Sequence, residues 1–236
     1  MTQTGRLSGR IALITGASRG IGAAIAKRYA AEGAHLVLTA RTEGALEEID
    51  DAVRAAGGSA TLVPLDLRQL DQIDQLGAAL VERFGRLDVL VGNAGLLGDL
   101  TPVPHIAQRQ WDQVMTVNVT ANYRLIRSMD PLLRRSESGR AIFVSSGAAK
   151  GKAFWGLYGA TKAALNTLVM SYADEMENTA LRVNLVNPGP IRTAMRAQAM
   201  PGEDPMTLRT PEEITDCFVD LAAADCTRNG ELVQAY

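Results

Sequence analysis

Cysteine, histidine and aromatic residues are scarce in this chain of 236 residues, and long apolar runs are absent. Cysteine occurs twice, as Cys217 and Cys226. Two thiols cannot build a disulfide framework, and their spacing is not a zinc pattern. They read as reduced thiols of a cytoplasmic protein. The two histidines, His35 and His105, sit in no motif suggesting a metal site or a Ser-His-Asp hydrolase, so no metal is expected. Neither sign of charge is in excess: Lys plus Arg number 24 against 26 Asp plus Glu, a net charge of −2. A phosphate-backbone footprint has no support, and nucleic acid is not an expected partner. No stretch approaches the roughly 18 apolar residues of a membrane span. The N-terminal MTQTGRLSGR has no apolar core behind its charges, and residues 11–15 are too few for that of a signal peptide.

What is present is enough hydrophobic side chain, 47% of residues, to close a full core in one domain. Aliphatic runs recur as IALIT (11–15), HLVLTA (35–40), TLVPLDL (61–67), LDVLVGNAG (87–95), AIFVSS (141–146), LRVNLVNPG (181–189) and ELVQA (231–235). Between them lie helical patterns: up to about 31, then 43–56, 71–84, 107–135, from Tyr158 onward, and 211–224. Apolar strands without alternation are buried on both faces, and their alternation with helices predicts a parallel sheet covered on both sides. No repeat or linker divides the chain, so 1–236 reads as one doubly wound α/β domain.

The first strand runs into Thr15-Gly16-Ala17-Ser18-Arg19-Gly20-Ile21-Gly22 and then a helix. Glycines permit a tight turn and let backbone amides approach a diphosphate, while the helix aims its positive end at the anion. This context predicts dinucleotide binding. The second strand ends in Arg41, with no carboxylate before Glu43. An acid there would bind the ribose hydroxyls and repel a 2′-phosphate; Arg offers a charged fork to phosphate oxygens. Arg19 could approach the same phosphate from the other side, so NADP is expected over NAD. Tyr158 and Lys162, four apart on a helix, share a face. A phenol of pKa about 10 is a poor proton carrier at neutral pH, and a nearby ammonium favours its phenolate.

The glycine spacing, Gly-x-x-x-Gly-x-Gly, resembles the cofactor loop of the short-chain dehydrogenase/reductase family, and the likeness continues in order along the chain. Asp66 and Leu67 follow the third strand, where the family contacts adenine. Asn93-Ala94-Gly95 ends the fourth, with Gly92 standing where the family usually has a second Asn. Asn118 lies in a V-N-V segment, Ser145-Ser146 ends the fifth strand, and Tyr158-Gly159-Ala160-Thr161-Lys162 gives YxxxK. Asn187-Pro188-Gly189-Pro190-Ile191-Arg192-Thr193 matches the nicotinamide-side loop.

The resemblance implies a Rossmann-type fold of seven parallel strands and an NADP(H)-dependent oxidoreductase acting on a carbonyl/alcohol pair. The cofactor set is then Gly16, Ser18, Arg19, Gly20, Ile21, Gly22, Arg41, Asp66, Leu67, Asn93, Ala94, Gly95, Pro188, Gly189, Ile191 and Thr193, with Tyr158 and Lys162. Tyr158 would exchange the proton with the substrate oxygen, Lys162 would lower the phenol's pKa and bind the ribose, a serine would hold the substrate, and Asn118 would position a water. Strand register favours Ser146 as that serine, because a one-residue slip flips every side chain. Counting back from Tyr158 by the family's spacing lands on Ser145.

Residues 194–210 correspond to the family's variable substrate lid, where Met195, Met200 and Met206 suit an adaptable apolar cover. Phe154 and Trp155 either line the pocket or simply pack, while Trp111 reads as helix packing. The helix from Tyr158 is apolar over more than one face, and the family pairs it across a two-fold axis. A homodimer or homotetramer is therefore expected. Two other readings use the same scaffold: a nucleotide-binding regulatory protein without turnover, and a non-redox reaction such as that of an epimerase or dehydratase.

Overall fold

The apolar runs form seven strands: β1 (Ile11–Thr15), β2 (His35–Ala40), β3 (Ser59–Pro64), β4 (Val89–Gly92), β5 (Arg140–Val144), β6 (Arg182–Asn187) and β7 (Leu232–Gln234). The computed structural model describes residues 5–236; residues 1–4, the start of the segment expected to carry no signal peptide, lie outside the described residues. All strands are parallel, in the order β3-β2-β1-β4-β5-β6-β7. Successive side chains point to opposite faces, so each central strand feeds two cores. Ile14, Leu38, Val91 and Ile142 face one side, where Ile25 and Phe218 pack on them. Leu13, Val37, Leu90 and Phe143 face the other, against Leu76, Leu125 and Leu165. Each fully buried aliphatic side chain of this kind contributes about 1.5–3 kcal/mol.

Helices α1 (Gly20–Ala31), α2 (Glu43–Ala55), α3 (Leu70–Phe84), α4 (Gln108–Met115), α5 (Ala121–Leu133), α6 (Gly156–Glu175), α7 (Ala194–Ala199) and α8 (Thr215–Ala222) complete the crossovers. Several boundaries differ from the sequence reading, each for a local reason. The stretch expected as one helix over 107–135 is α4 and α5 joined by a π turn, Thr116–Thr120, around buried Asn118. Strand β3 ends at Pro64, because Asp66 Oδ1 accepts the Arg68 N–H at 3.0 Å and turns the chain out of the sheet. Strand β4 ends at Gly92, because Asn93 crosses to β1. The irregular stretch after β6 contains α7, whose N-terminus is capped by Thr193 Oγ1 accepting from the Arg196 N–H at 3.2 Å.

The strand order reverses between β1 and β4, and in such sheets the ligand crevice opens at the carboxyl ends beside that reversal. The opposite end is closed by buried polar clasps. Asp88 accepts from the Ile11 N–H at 2.9 Å and from Ser136 Oγ, and the Arg140 guanidinium donates to the carbonyls of Gly139, Ala180, Ala223 and Ala224. His35 spans to β3 through Ser59 Oγ at 2.8 Å and Thr61 Oγ1 at 3.0 Å.

Candidate active site

The turns after β1 and β4 are stitched together. Thr15 Oγ1 accepts the N–H groups of Asn93 and Ala94 at 3.0 and 3.1 Å, and Asn93 Nδ2 donates to the carbonyls of Thr15 and Gly16 at 2.9 and 3.2 Å. Gly16 and Gly20 have φ of 65° and 56°, the left-handed region that glycine enters freely. Gly22 serves closeness: a Cβ there would stand 2.3 Å from the Gly16 carbonyl oxygen. Helix α1 begins without a side-chain cap and without an acid in its first turn, so its leading N–H groups and positive dipole end are left to a ligand. The glycine turn, the uncapped helix and the arginines beside them fit a dinucleotide diphosphate and its 2′-phosphate.

Arg19 and Arg41 are exposed and join no ion pair among the described residues. Asp66 is different. Its carboxylate is gripped by the Arg68 guanidinium, with Nε 3.0 Å from both oxygens and Nη2 2.5 Å from Oδ2. Arg68, and to a lesser degree Arg41, holds the Asp66 carboxyl below its ordinary pKa.

At the other end of the same crevice lie Ser146, Tyr158 and Lys162. Ser146 leaves β5 as the cap of a short 3₁₀ turn, its Oγ accepting the Ala148 N–H at 3.2 Å, and it faces the Tyr158 phenol closely enough to favour its ionised form. Ser145 points the other way and donates to Asn166 Oδ1 at 2.6 Å. Lys162 Nζ is buried, donates to the Val144 carbonyl at 2.7 Å and sits 5.6 Å from the centre of the Tyr158 ring. The ammonium does not draw the phenol toward neutrality as expected. Burial dominates both groups, pushing Tyr158 up to about 12 and Lys162 down to about 8.

One cavity of about 970 Å³ joins these ends, running from Arg41, Asp66 and the glycine turn past Asn93–Gly95 and Pro188–Thr193 to Ser146 and Tyr158. Gly22 and Asn118 do not line it. Gly22 lies behind the turn. The Asn118 amide is spent on the Leu96 backbone, accepting its N–H at 2.8 Å and donating to its carbonyl at 2.9 Å, and on Thr161 Oγ1 at 3.0 Å. Its side chain therefore braces the β4 loop against α6.

The substrate end is apolar. Leu97, Ala148, Tyr158 and Ala199 pack with Met195, Met200 and Trp155, and the Trp155 ring meets Tyr158 edge-on at 6.1 Å. Met206 is 73% exposed and turned away, as is Phe154, which adopts φ of 69°. Trp111 remains 38% exposed rather than packed. Sequence reasoning missed Arg68, whose signal was a cation two residues after Asp66 in a turn. It also missed what fills the space at Gly92. A Cβ there would meet Phe143 Cδ1 at 2.4 Å and Asn122 Oδ1 at 2.7 Å, so these side chains occupy the room the family's second Asn would need.

A phosphate-binding turn at the strand-order reversal, facing a buried Tyr-Lys pair across one crevice, defines a dinucleotide-dependent oxidoreductase. The pattern of the short chain dehydrogenase family matches residues 10–204. The oxidoreductase YciK of Escherichia coli strain K12 is 39% identical over 226 residues, covering 94% of this chain and 89% of the relative. A short chain dehydrogenase structure from Pseudomonas syringae superposes with a TM-score of 0.96 at 42% identity, over 100% of this chain and 98% of the other. One from Shigella flexneri 2a, complexed with NADP, gives 0.95 at 37%, over 99% of each. The chain belongs to the short-chain dehydrogenases and is an oxidoreductase of that family.

Proposed function

We propose that the protein is an NADP(H)-dependent reductase or dehydrogenase of a carbonyl/alcohol pair, with Tyr158 as proton donor and acceptor, Ser146 and Lys162 as its partners, and an apolar substrate end. The observation that carries this reading is the single cavity with free arginines at one end and the Ser146–Tyr158–Lys162 group at the other. The NADP complex of the Shigella relative supports the cofactor.

The nicotinamide supplies the hydride when bound. The chain supplies the rest. The Gly16–Gly20 turn and the start of α1 take the diphosphate, and Arg19 and Arg41 take the 2′-phosphate. Tyr158, kept protonated by burial up to about 12, donates its phenolic proton to the substrate oxygen in reduction. Ser146 holds that oxygen, and its position beside the phenol favours the phenolate left behind. Lys162, at about 8, is cationic at neutral pH and stands 5.6 Å from the centre of the Tyr158 ring. Trp155, Met195 and Met200 exclude water from the reacting atoms.

The same reading makes the protein a homo-oligomer of the cytoplasm. Trp111, Tyr123 and Met170 stand exposed on α4, α5 and α6, which supports a helical pairing face, and the two free cysteines suit a reducing compartment. The test is loss of NADPH absorbance with a panel of apolar aldehydes, ketones and quinones. Tyr158→Phe should lower turnover by at least about 10²-fold while NADPH still binds. Near-normal turnover in that variant would remove Tyr158 from the chemistry.

A further inference from the structure

The cavity's nucleotide end contains a charge arrangement that the recognition of NADP by Arg19 and Arg41 does not use. Asp66 is a carboxylate in the wall of this cavity, and its side chain keeps 24% exposure. A bare carboxylate there would oppose a second anion. The structure does not leave it bare. Arg68, two residues on, closes on it through a backbone N–H, Nε and Nη2, a planar fork on a planar carboxylate. These bonds take most of the acceptor directions a carboxylate has. Arg68 itself lines the cavity, with 46% of its side chain exposed.

The geometry also ties this pair to the phosphate end. Ala40 pairs with Pro64 and its carbonyl accepts the Leu65 N–H at 2.8 Å, so Arg41 and Asp66 follow adjacent strand ends into one cavity, and an anion resting on Arg41 lies beside the Asp66 carboxylate. We propose that Arg68 is a specificity-determining residue for the 2′-phosphorylated nucleotide: by clamping and neutralising Asp66, it offsets the carboxylate beside Arg41 that would repel the 2′-phosphate held by Arg41 and Arg19. A nucleotide without that phosphate gains nothing from the compensation. Arg68 thus sets a ratio of affinities, which is what specificity means physically. This inference rests on the NADP(H) reading above and deepens it.

The experiment measures dissociation constants of NADPH and NADH, by nucleotide fluorescence or calorimetry, for the wild-type protein and for Arg68→Ala, Arg68→Lys and Asp66→Asn/Arg68→Ala. Arg68 is exposed on a loop, so Arg68→Ala should keep its circular dichroism and melting temperature. Its NADPH:NADH affinity ratio should fall by about three- to tenfold, a range suited to a partly screened charge, and by less at high salt. Arg68→Lys should keep most of the ratio through its charge, and the double variant should regain it, because the repelling carboxylate is gone. If Arg68→Ala weakens both nucleotides equally, or the double variant does not regain the ratio, Arg68 only shapes the loop and the proposal fails. If the wild-type protein itself binds NADH as tightly as NADPH, the cofactor reading fails first and this one with it.

Discussion

Lys162 is a costly buried charge, and replacing it should make the protein more stable while abolishing the proposed activity. Its ammonium is 3% exposed and donates to the Val144 carbonyl at 2.7 Å. Burial lowers its pKa from 10.5 to about 8. That displacement corresponds to about 3 kcal/mol of destabilisation at neutral pH, at about 1.4 kcal/mol per pH unit. Methionine has nearly the same volume and needs no hydration. Lys162→Met forfeits one hydrogen bond, about 1 kcal/mol, so the net gain is about 2 kcal/mol. For a chain of this size that raises the melting temperature by about 4–8 °C. The pH dependence separates this cause from generic packing. Below pH 8 the lysine is charged in both folded and unfolded chains, and the whole penalty is present. Between about 8 and 10.5 the folded lysine has lost its proton and the unfolded one keeps it. Unfolding then takes up a proton, and wild-type stability rises with pH. Above 10.5 both forms are neutral and the variant's advantage is gone. Urea titrations of both proteins without added nucleotide, at pH 7 and pH 10, measure the difference directly. A variant less stable than wild type at pH 7, or an advantage unchanged at pH 10, would refute the reasoning.

Three further outcomes follow from single contacts. Ser146→Ala should cost more turnover than Ser145→Ala, because Ser146 faces the phenol, whereas Ser145→Ala should lower the melting temperature by leaving Asn166 without its 2.6 Å partner. The reverse order in steady-state rates would move the substrate-holding role to Ser145. Gly92→Asn, which restores the family's usual residue, should destabilise the fold by about 1–3 kcal/mol in denaturant titrations, because its Cβ meets Phe143 at 2.4 Å. An unchanged midpoint would mean the Phe143 ring moves freely. Arg41→Asp should invert the NADPH:NADH preference in binding assays, since it removes a phosphate partner and adds a repelling charge. A preference that survives would shift the 2′-phosphate to Arg19 and its neighbours.

The five inner strands were legible because burial on both faces leaves an unbroken apolar run no other reading; the edge strands β3 and β7 are only partly buried and were legible from their place in the strand–helix alternation. Their ends were less legible. The 107–135 pattern keeps its helical periodicity through Thr116–Thr120, so the π turn leaves no trace in hydrophobic spacing. It is set by what Asn118 bonds to, which is the Leu96 backbone and Thr161, and neither partner is visible from a 3.6-residue repeat. Likewise β3 ends early because the Asp66 side chain captures the backbone N–H two residues on. That is turn chemistry, which an aliphatic run of TLVPLDL conceals.

For the site, which residue types line one cavity was readable and electrostatics was not. The glycine turn, Arg41, Tyr158 and Lys162 stand out because backbone freedom, fixed charge and helical spacing belong to the residue types themselves. The strand-register argument expects the two serines to differ, and their partners do: Ser145 bonds Asn166 and Ser146 bonds the Ala148 N–H. The direction of the Tyr158 shift depends on a quantity no spacing contains, how dry the phenol is. Four residues of helix bring Lys162 within 5.6 Å of the ring centre, its ammonium bonds the Val144 carbonyl, and desolvation dominates both groups. Motif spacing fixes which groups meet. Burial fixes how far each is moved from its ordinary pKa when they do, and here the phenol at about 12 and the lysine at about 8 both hold their protons at neutral pH, the pair of states that the proposed carbonyl reduction requires.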